Sequence, residues 1–172
     1  MSIEKEILPE GKPEQIRYIE IDEVPDIEQF VQEIMDLPIE EQIGRISSFV
    51  KSKLKNALNP KNKHLPDEEK TKIKESLDRS KIKKMSQVLA TGYGVCVEYN
   101  ALAEMIFDKL RIPCEFKSGQ MGDGPKHTFL DISVNDEWQI FDPYAEVYLS
   151  DIGRPELTRF GEEYYKSSNT NK

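Results

Sequence analysis

The chain has 172 residues, of which 33% are charged and 37% are hydrophobic, a balance typical of one globular domain rather than a disordered chain. Its apolar runs fall well short of the ~20 residues that a bilayer-spanning helix needs, so we expect no membrane association. The N-terminal sequence MSIEKEILPEG lacks the apolar core of a signal peptide. We therefore expect a cytoplasmic protein, or one exported without a classical signal peptide.

The net charge of −8 conceals a split along the chain. Residues 1–40 carry 12 acids and 3 bases, whereas residues 51–84 carry 12 bases and 5 acids. A basic segment could meet nucleic acid, but no aromatic side chains interleave with these lysines to provide a stacking surface. We interpret the segment as solvated helix faces and expect no nucleic-acid partner.

The first half of the chain is predicted to be helical, behind an acidic N-terminal arm formed by residues 1–25. Apolar residues at intervals of three and four, with proline and acidic residues at the starts, define these elements. They are a short strand at residues 17–21, helices at 26–36 (capped by Asp26) and 38–59, a helix that begins at residue 66, and a helical pattern over 82–90.

The second half changes character after a glycine-containing break at residues 91–94. Residues 95–110 have helical spacing, and Pro113 stops that helix. Strands are predicted at residues 114–118, 127–134 and 137–141, followed by a last helix over 155–166. Helices first and strands later predict an α+β fold, with a helix packed against an antiparallel sheet.

Reactive side chains are scarce. Two cysteines, Cys96 and Cys114, make no disulfide framework, and with only His64 and His127 beside them a metal site is not expected. We expect no cofactor. Cys114 is interpreted as a packed strand residue and His64 as a solvated loop residue.

Cys96 would stand at the head of a helix, directly after two glycines. Most free cysteines are small buried hydrophobic residues, and that alternative stays open. A helix N-terminus, however, offers unpaired N–H groups and a positive dipole end, which favour the reactive thiolate. The glycines would let the backbone turn sharply, and the Cys96 N–H could bind an oxyanion.

A nucleophilic cysteine needs a base, and the base needs an orienting group. His127 begins one predicted strand, and Asp142 ends the next. If Asn135 and Asp136 form a two-residue hairpin turn, His127 and Asp142 become diagonal neighbours on one face of the sheet. A three-residue turn would place them on opposite faces, and Asp142 could instead merely start an Asp-Pro turn.

These residues together resemble the transglutaminase-like superfamily of papain-related cysteine enzymes. Residues 94–99, Gly-Val-Cys-Val-Glu-Tyr, are similar to the family's Gly-X-Cys motif, and residues 110–113, Leu-Arg-Ile-Pro, to its helix exit. Residues 138–143, Trp-Gln-Ile-Phe-Asp-Pro, are similar to its Trp-X-X-X-Asp-Pro strand. The match covers about residues 39–150. His-Thr-Phe at residues 127–129 departs from the frequent His-Ala-Trp.

The resemblance implies one papain/transglutaminase-like domain, residues 26–172, of the small bacterial type. Its central helix, with the cysteine at its N-terminus, would pack on an antiparallel sheet, preceded by extra N-terminal helices. Cys96 would be the nucleophile, His127 the general base and then acid, and Asp142 the group that holds the imidazole. Gln87 is expected to be the second oxyanion donor, with Tyr93 as the alternative.

The remaining aromatic residues of these motifs, Tyr99, Phe129 and Trp138, are expected to be core or pocket wall. The substrate implied is a protein or peptide. Peptide or isopeptide hydrolysis is the first choice, because nothing marks an amine-acceptor site. A glutamine deamidase or a transglutaminase is the second reading, and a non-catalytic binding module stays open. The oligomeric state is not predicted.

Overall fold

The computed structural model describes residues 18–120 and 126–154, and in that part of the chain six helices combine with seven strands, which confirms the α+β class. The helices are α1 (Pro25–Ile34), α2 (Ile39–Lys53), α3 (Asp67–Leu77), α4 (Met85–Thr91), α5 (Cys96–Lys109) and α6 (Pro143–Asp151). The strands are β1 (Ile19–Glu20), β2 (Lys55–Asn56), β3 (Lys83–Lys84), β4 (Tyr93–Gly94), β5 (Cys114–Gln120), β6 (Lys126–Val134) and β7 (Glu137–Phe141). A short 3-10 helix spans Pro60–His64.

The main sheet is antiparallel, with strand order β5-β6-β7. Strands β6 and β7 form a hairpin in which Val134 pairs with Glu137, so the turn has two residues, as predicted. Both turn residues, Asn135 and Asp136, have positive φ, 52° and 66°. Asparagine and aspartate tolerate this left-handed backbone better than most residues, and it matches the twist of the flanking strands.

Helix α5 packs across one face of this sheet and supplies the centre of the core. The Phe107 ring meets the Phe141 ring edge to face, with centroids 4.9 Å apart. Burying a side chain of this size stabilises the fold by roughly 1.5–3 kcal/mol. The predicted central helix on an antiparallel sheet is therefore confirmed. The fully buried residues of this contact include Leu102, Ile106, Leu130 and Ile132.

Helix α6 packs mainly against α5, α2 and β2, and it reaches the sheet at Phe129. Side chains alternate along a strand, so Phe129 points away from the side that Leu130 faces. There Phe129 packs with Ala145, with Ile140 and Tyr148 beside them. Helix α6 therefore covers only the part of the sheet around Phe129, whereas α5 packs on the side that Leu130 faces.

The N-terminal helices close the α5 side of the molecule. The Phe30 ring of α1 stacks on the Phe49 ring of α2, with centroids 4.0 Å apart. Strand β1 pairs in parallel with β3, and Ile19 is buried. The part of the predicted arm that is described here, from residue 18, therefore packs against the body. The boundary of the arm at residue 25 stays a prediction.

Several sequence predictions differ from the structure. The helical pattern over 82–90 begins with the strand β3 (Lys83–Lys84), and the helix α4 starts only at Met85. Helix α2 ends at Lys53 rather than near residue 59, because the chain turns extended at Leu54 and pairs with β4. The residue that caps α1 is Val24, not Asp26. Helix α6 was not predicted. Trp138, expected to be core or pocket wall, is 52% exposed, so it is not core and its place in a pocket wall stays a prediction.

Some predictions fall on residues outside the described ranges. They are most of the arm (residues 1–17) and the helix over residues 155–166. Among the helices of the described ranges, none combines the length and apolarity that crossing a bilayer would take.

Candidate active site

Cys96 is the first residue of α5, at the end of a sharply turned loop. Gly92 ends α4 in the left-handed conformation, with φ of 72°, which glycine adopts without strain. Strand β4 and the extended residue Val95 then lead into the helix. The Cys96 side chain is half-buried against the core. The predicted place of this thiol at a helix N-terminus is therefore what the structure shows.

Gly94 is required for a different reason, close approach. A Cβ atom at this position would lie 2.6 Å from the Cβ of Glu98, closer than two such atoms can come. The Gly94 carbonyl accepts a hydrogen bond from the Ala57 N–H, at 3.0 Å. The absent side chain thus lets β4, β2 and the first turn of α5 converge beside Cys96.

The hairpin brings together His127, on β6, and Asp142, which directly follows β7. Nε2 of His127 hydrogen-bonds to Oδ2 of Asp142, and the two side chains are only 2% and 4% exposed. The other carboxylate oxygen, Oδ1, accepts a hydrogen bond from the Ala145 N–H, at 3.2 Å, and so caps α6. One aspartate therefore holds the imidazole and begins a helix.

His127 also makes a hydrogen bond with Cys96. Because Nε2 faces the carboxylate, Nδ1 is the ring nitrogen left for the thiol. Burial works against a charged ring. The Asp142 charge and hydrogen bond, followed by those of Cys96, outweigh it and raise the pKa of His127 to about 10. The three predicted residues are in contact, and their surroundings favour the imidazolium.

Two residues that the sequence analysis did not single out surround this group. The Tyr144 ring lies 6.1 Å from the His127 ring, nearly parallel to it. Its hydroxyl donates to Oδ1 of Asn56 at 3.0 Å, and burial, followed by the Cys96 charge, raises the Tyr144 pKa. Asn100, one turn after Cys96, is fully buried and donates from Nδ2 to the Thr128 carbonyl at 2.6 Å. Helix α5 is thereby tied to the residue beside the imidazole.

The predicted second oxyanion donors lie in distinct places. Gln87 is exposed in the first turn of α4, where its Oε1 accepts a hydrogen bond from the Lys84 N–H at 2.8 Å. Its role at an oxyanion stays a prediction. The alternative, Tyr93, donates its hydroxyl to Oε2 of Glu69 at 2.6 Å, so that proton is already committed. Burial first, and this hydrogen bond second, raise the pKa of Tyr93 to about 12.

The other reactive side chains lie apart from this group or at its edge. His64 is exposed at the end of the 3-10 helix, as predicted. Cys114 is half-buried at the start of β5, packed against the core. Within residues 18–120 and 126–154, no three His, Cys, Asp or Glu side chains cluster closely enough to hold a metal ion.

No family model matches the sequence, and no curated protein does. Among solved structures, the chain is similar to a protein described as a TGase, with 14% identity and a TM-score of 0.49 over 68% of this chain and 30% of that one. It is also similar to a candidate cysteine protease from Cytophaga hutchinsonii, with 15% identity and a TM-score of 0.46 over 76% and 46% of the two chains.

A third similar structure is a candidate protease from Parabacteroides distasonis, with 15% identity and a TM-score of 0.47 over 67% of this chain and 22% of that one. This chain spans less than half the length of each of these three proteins. The function proposed below therefore rests on the contacts among this chain's own residues.

Proposed function

We propose that the protein is a thiol-dependent acyl-transfer enzyme of the transglutaminase-like superfamily, which cleaves an amide bond through a thioester on Cys96. The observation that carries this proposal is the hydrogen-bonded series from Cys96 through His127 to Asp142. It begins at a helix N-terminus, where a thiolate is stabilised, and its first member is half-buried while the other two side chains are buried.

The chemistry follows from the roles these groups can take. The Cys96 thiolate attacks the amide carbonyl carbon, and the negative oxygen that forms is held by N–H groups at the start of α5. The His127 imidazolium gives its proton to the leaving nitrogen as the carbon–nitrogen bond breaks, which leaves a thioester. Water, losing a proton to His127, then attacks the thioester carbon and releases a carboxylic acid and the thiolate. Asp142 orients the ring throughout.

Hydrolysis is the reaction we assign, with a peptide or isopeptide bond as the substrate. Deamidation of glutamine would use the same thioester with ammonia as the leaving group, and transglutamination would replace water by an amine. The product therefore distinguishes them. Incubation with an unfolded protein such as casein should give shorter peptides. Ammonia release without cleavage would indicate deamidation instead, and cross-linked chains would indicate transglutamination.

The reactivity of the thiol tests the proposal without knowledge of the substrate. In a Cys114→Ala background, we expect iodoacetamide to modify Cys96 rapidly at pH 6, where an ordinary thiol is only about 0.3% ionised. His127→Ala should slow this reaction roughly 10²-fold. His64→Ala, which removes an exposed histidine, is the control and should leave the rate unchanged. A Cys96 that reacts no faster than a free thiol would contradict the proposal.

A further inference from the structure

Glu98 is a buried carboxylate in the first turn of the helix that carries Cys96. The residue is 0% exposed, and its Oε2 accepts a hydrogen bond from the Val95 N–H, at 2.9 Å. This contact satisfies one of the N–H groups at the start of α5. The positive end of α5 would stabilise the Cys96 thiolate, and this contact places a second negative group, the Glu98 carboxylate, at the same end. Two negative charges at the same end of one helix destabilise each other.

Arg79 lies against this carboxylate from the segment that follows α3. Its Nη1 is 2.6 Å from Oε1 of Glu98, and the two side chains are 27% and 1% exposed. The same Nη1 donates to the Ser76 carbonyl at 3.1 Å, which fixes the guanidinium in place. Away from water, a charge pair at this distance interacts more strongly than on the surface, so the arginine largely neutralises the glutamate.

Few other charges face this pair. Lys83, 2% exposed, donates from Nζ to the Glu75 and Ser76 carbonyls, both at 2.6 Å. Burial lowers the pKa of Lys83, and the Arg79 charge lowers it further, while Glu98 opposes both. Burial first, and then charges that include those of Cys96 and Glu98, raise the pKa of Tyr144.

On its other side, Cys96 faces the His127 imidazole, behind which lies Asp142. The repulsion between the negative charges of Glu98 and Cys96 therefore depends on Arg79, because this cation contacts the glutamate directly.

We propose that Arg79 is a positioning residue for Cys96, which neutralises Glu98 so that the glutamate can fix the first turn of α5 while the positive end of the helix remains available to the thiolate. The inference rests on the proposed role of Cys96 as the nucleophile. Arg79 contacts Glu98 and acts on the thiol through it.

The same segment holds the loop before Cys96 at two further points. We call residues 67–84 the α3–β3 segment. Its Ser76 hydroxyl donates to the Tyr93 carbonyl at 2.7 Å, and its Glu69 accepts from the Tyr93 hydroxyl. The lysine-rich region that the sequence analysis interpreted as solvated helix faces thus includes a part that braces the cysteine loop.

The test is the pH dependence of Cys96 alkylation by iodoacetamide in the Cys114→Ala background. Arg79→Ala leaves Glu98 charged and unpaired, so the pH midpoint of alkylation should rise by about one unit, with a roughly tenfold slower reaction at pH 6. Glu98→Gln removes the negative charge and keeps an oxygen for the Val95 N–H, so the midpoint should fall. The double variant should lie near the native midpoint.

Two controls accompany these variants. Arg79→Lys retains the charge and should recover most of the native midpoint, although the forked geometry is lost. Lys81→Ala removes an exposed cation from the same segment and should change nothing. The midpoint is expected to rise in Arg79→Ala and to fall in Glu98→Gln. This contrast discriminates best, since loosening of the helix end would shift the midpoints of both variants in the same direction.

The outcomes separate this inference from the proposed function. A native protein whose Cys96 reacts as an ordinary thiol would overturn the function. A native protein that reacts at low pH, with variants that fold and share its midpoint, would overturn only the role of Arg79. If Arg79→Ala does not fold, Glu98→Gln and the double variant still decide, because neither leaves a buried carboxylate unpaired. An unchanged or raised midpoint in Glu98→Gln would then count against Arg79.

Discussion

The β6–β7 hairpin and the α3–β3 segment support Cys96 in different ways. The hairpin presents His127, which contacts the thiol directly and is held by the Asp142 carboxylate just beyond the neighbouring strand. The α3–β3 segment holds the glycine loop and Glu98 through Ser76 and Arg79. The contact between His127 and Cys96 therefore depends on strand register. The support from Ser76 and Arg79, which we call the brace, depends on packing between distant parts of the chain. Damage to the two regions should have different signatures.

The largest expected effect comes from changing the register of the hairpin. One glycine inserted between Asn135 and Asp136 would lengthen the turn and move Asp142 to the other face of the sheet relative to His127. We expect Cys96 alkylation at pH 6 to slow by about 10²–10³-fold, because the thiol would lose its oriented imidazolium. The measurement is the alkylation rate in the Cys114→Ala background.

A matched substitution shows whether register is the cause. Asp136→Gly keeps two residues in the turn and suits its positive φ, so the alkylation rate should stay near the native value. An inserted glycine that leaves the rate unchanged would mean that the hairpin does not set the contact between His127 and Asp142.

The next largest effect is the pH dependence of the free energy of unfolding, which we expect to arise from His127 in the hairpin. Burial opposes the charge on His127, but Asp142 and then Cys96 outweigh it, and the folded pKa is raised to about 10. In the unfolded chain a histidine titrates near 6.5, so the stabilisation is complete below about pH 6.5 and is lost as the pH rises towards 10. The free energy of unfolding should therefore fall, by up to a few kcal/mol, across that interval.

Urea unfolding at a series of pH values measures this dependence. His127→Gln has no titrating ring and should lose this part of the slope, so the native protein and the variant should converge in stability at high pH. A difference between them that grows with pH would show that the imidazole is neutral in the folded protein.

The smallest effect concerns the brace. Ser76→Ala removes the hydrogen bond to the buried Tyr93 carbonyl and should lower the free energy of unfolding by about 1–3 kcal/mol. The pH midpoint of Cys96 alkylation should not move, because Arg79 and Glu98 remain paired. Ser80→Ala, at an exposed position on the same segment, should change stability by less than about 0.5 kcal/mol. Equal losses in both variants would mean that Ser76 is not a specific tie.

The same contrast explains how much the sequence could predict. The hairpin is encoded locally: two residues that tolerate positive φ set the turn, and alternation along the strands then places His127 beside Asp142. The start of α5 is also encoded locally, since Gly92 and Gly94 precede an apolar helical pattern. These features lie within short stretches, and strand pairing or helical spacing is enough to read them.

The brace could not be read in this way. Arg79 and Glu98 come together only through tertiary packing, and an arginine in a lysine-rich stretch carries no local sign of its partner. Glu98 alone gave a signal, because glutamate at the third position of a helix commonly binds the N-terminal backbone. Asp142 followed by Pro143 also had the pattern of a helix cap and first residue, although it was interpreted as a strand end and turn.

The two oxygens of Asp142 have a consequence for how the protein is made. Oδ1 caps α6, whereas Oδ2 holds the imidazole, so the position of the His127 ring is tied to the start of the last described helix. A nascent chain that has not yet extended through Ala145 lacks the N–H that fixes this carboxylate. Until then Asp142 does not hold the imidazole in place. In a partly synthesised or locally opened protein, Cys96 therefore lacks an oriented imidazole, and we expect its thiol to be unreactive towards other proteins.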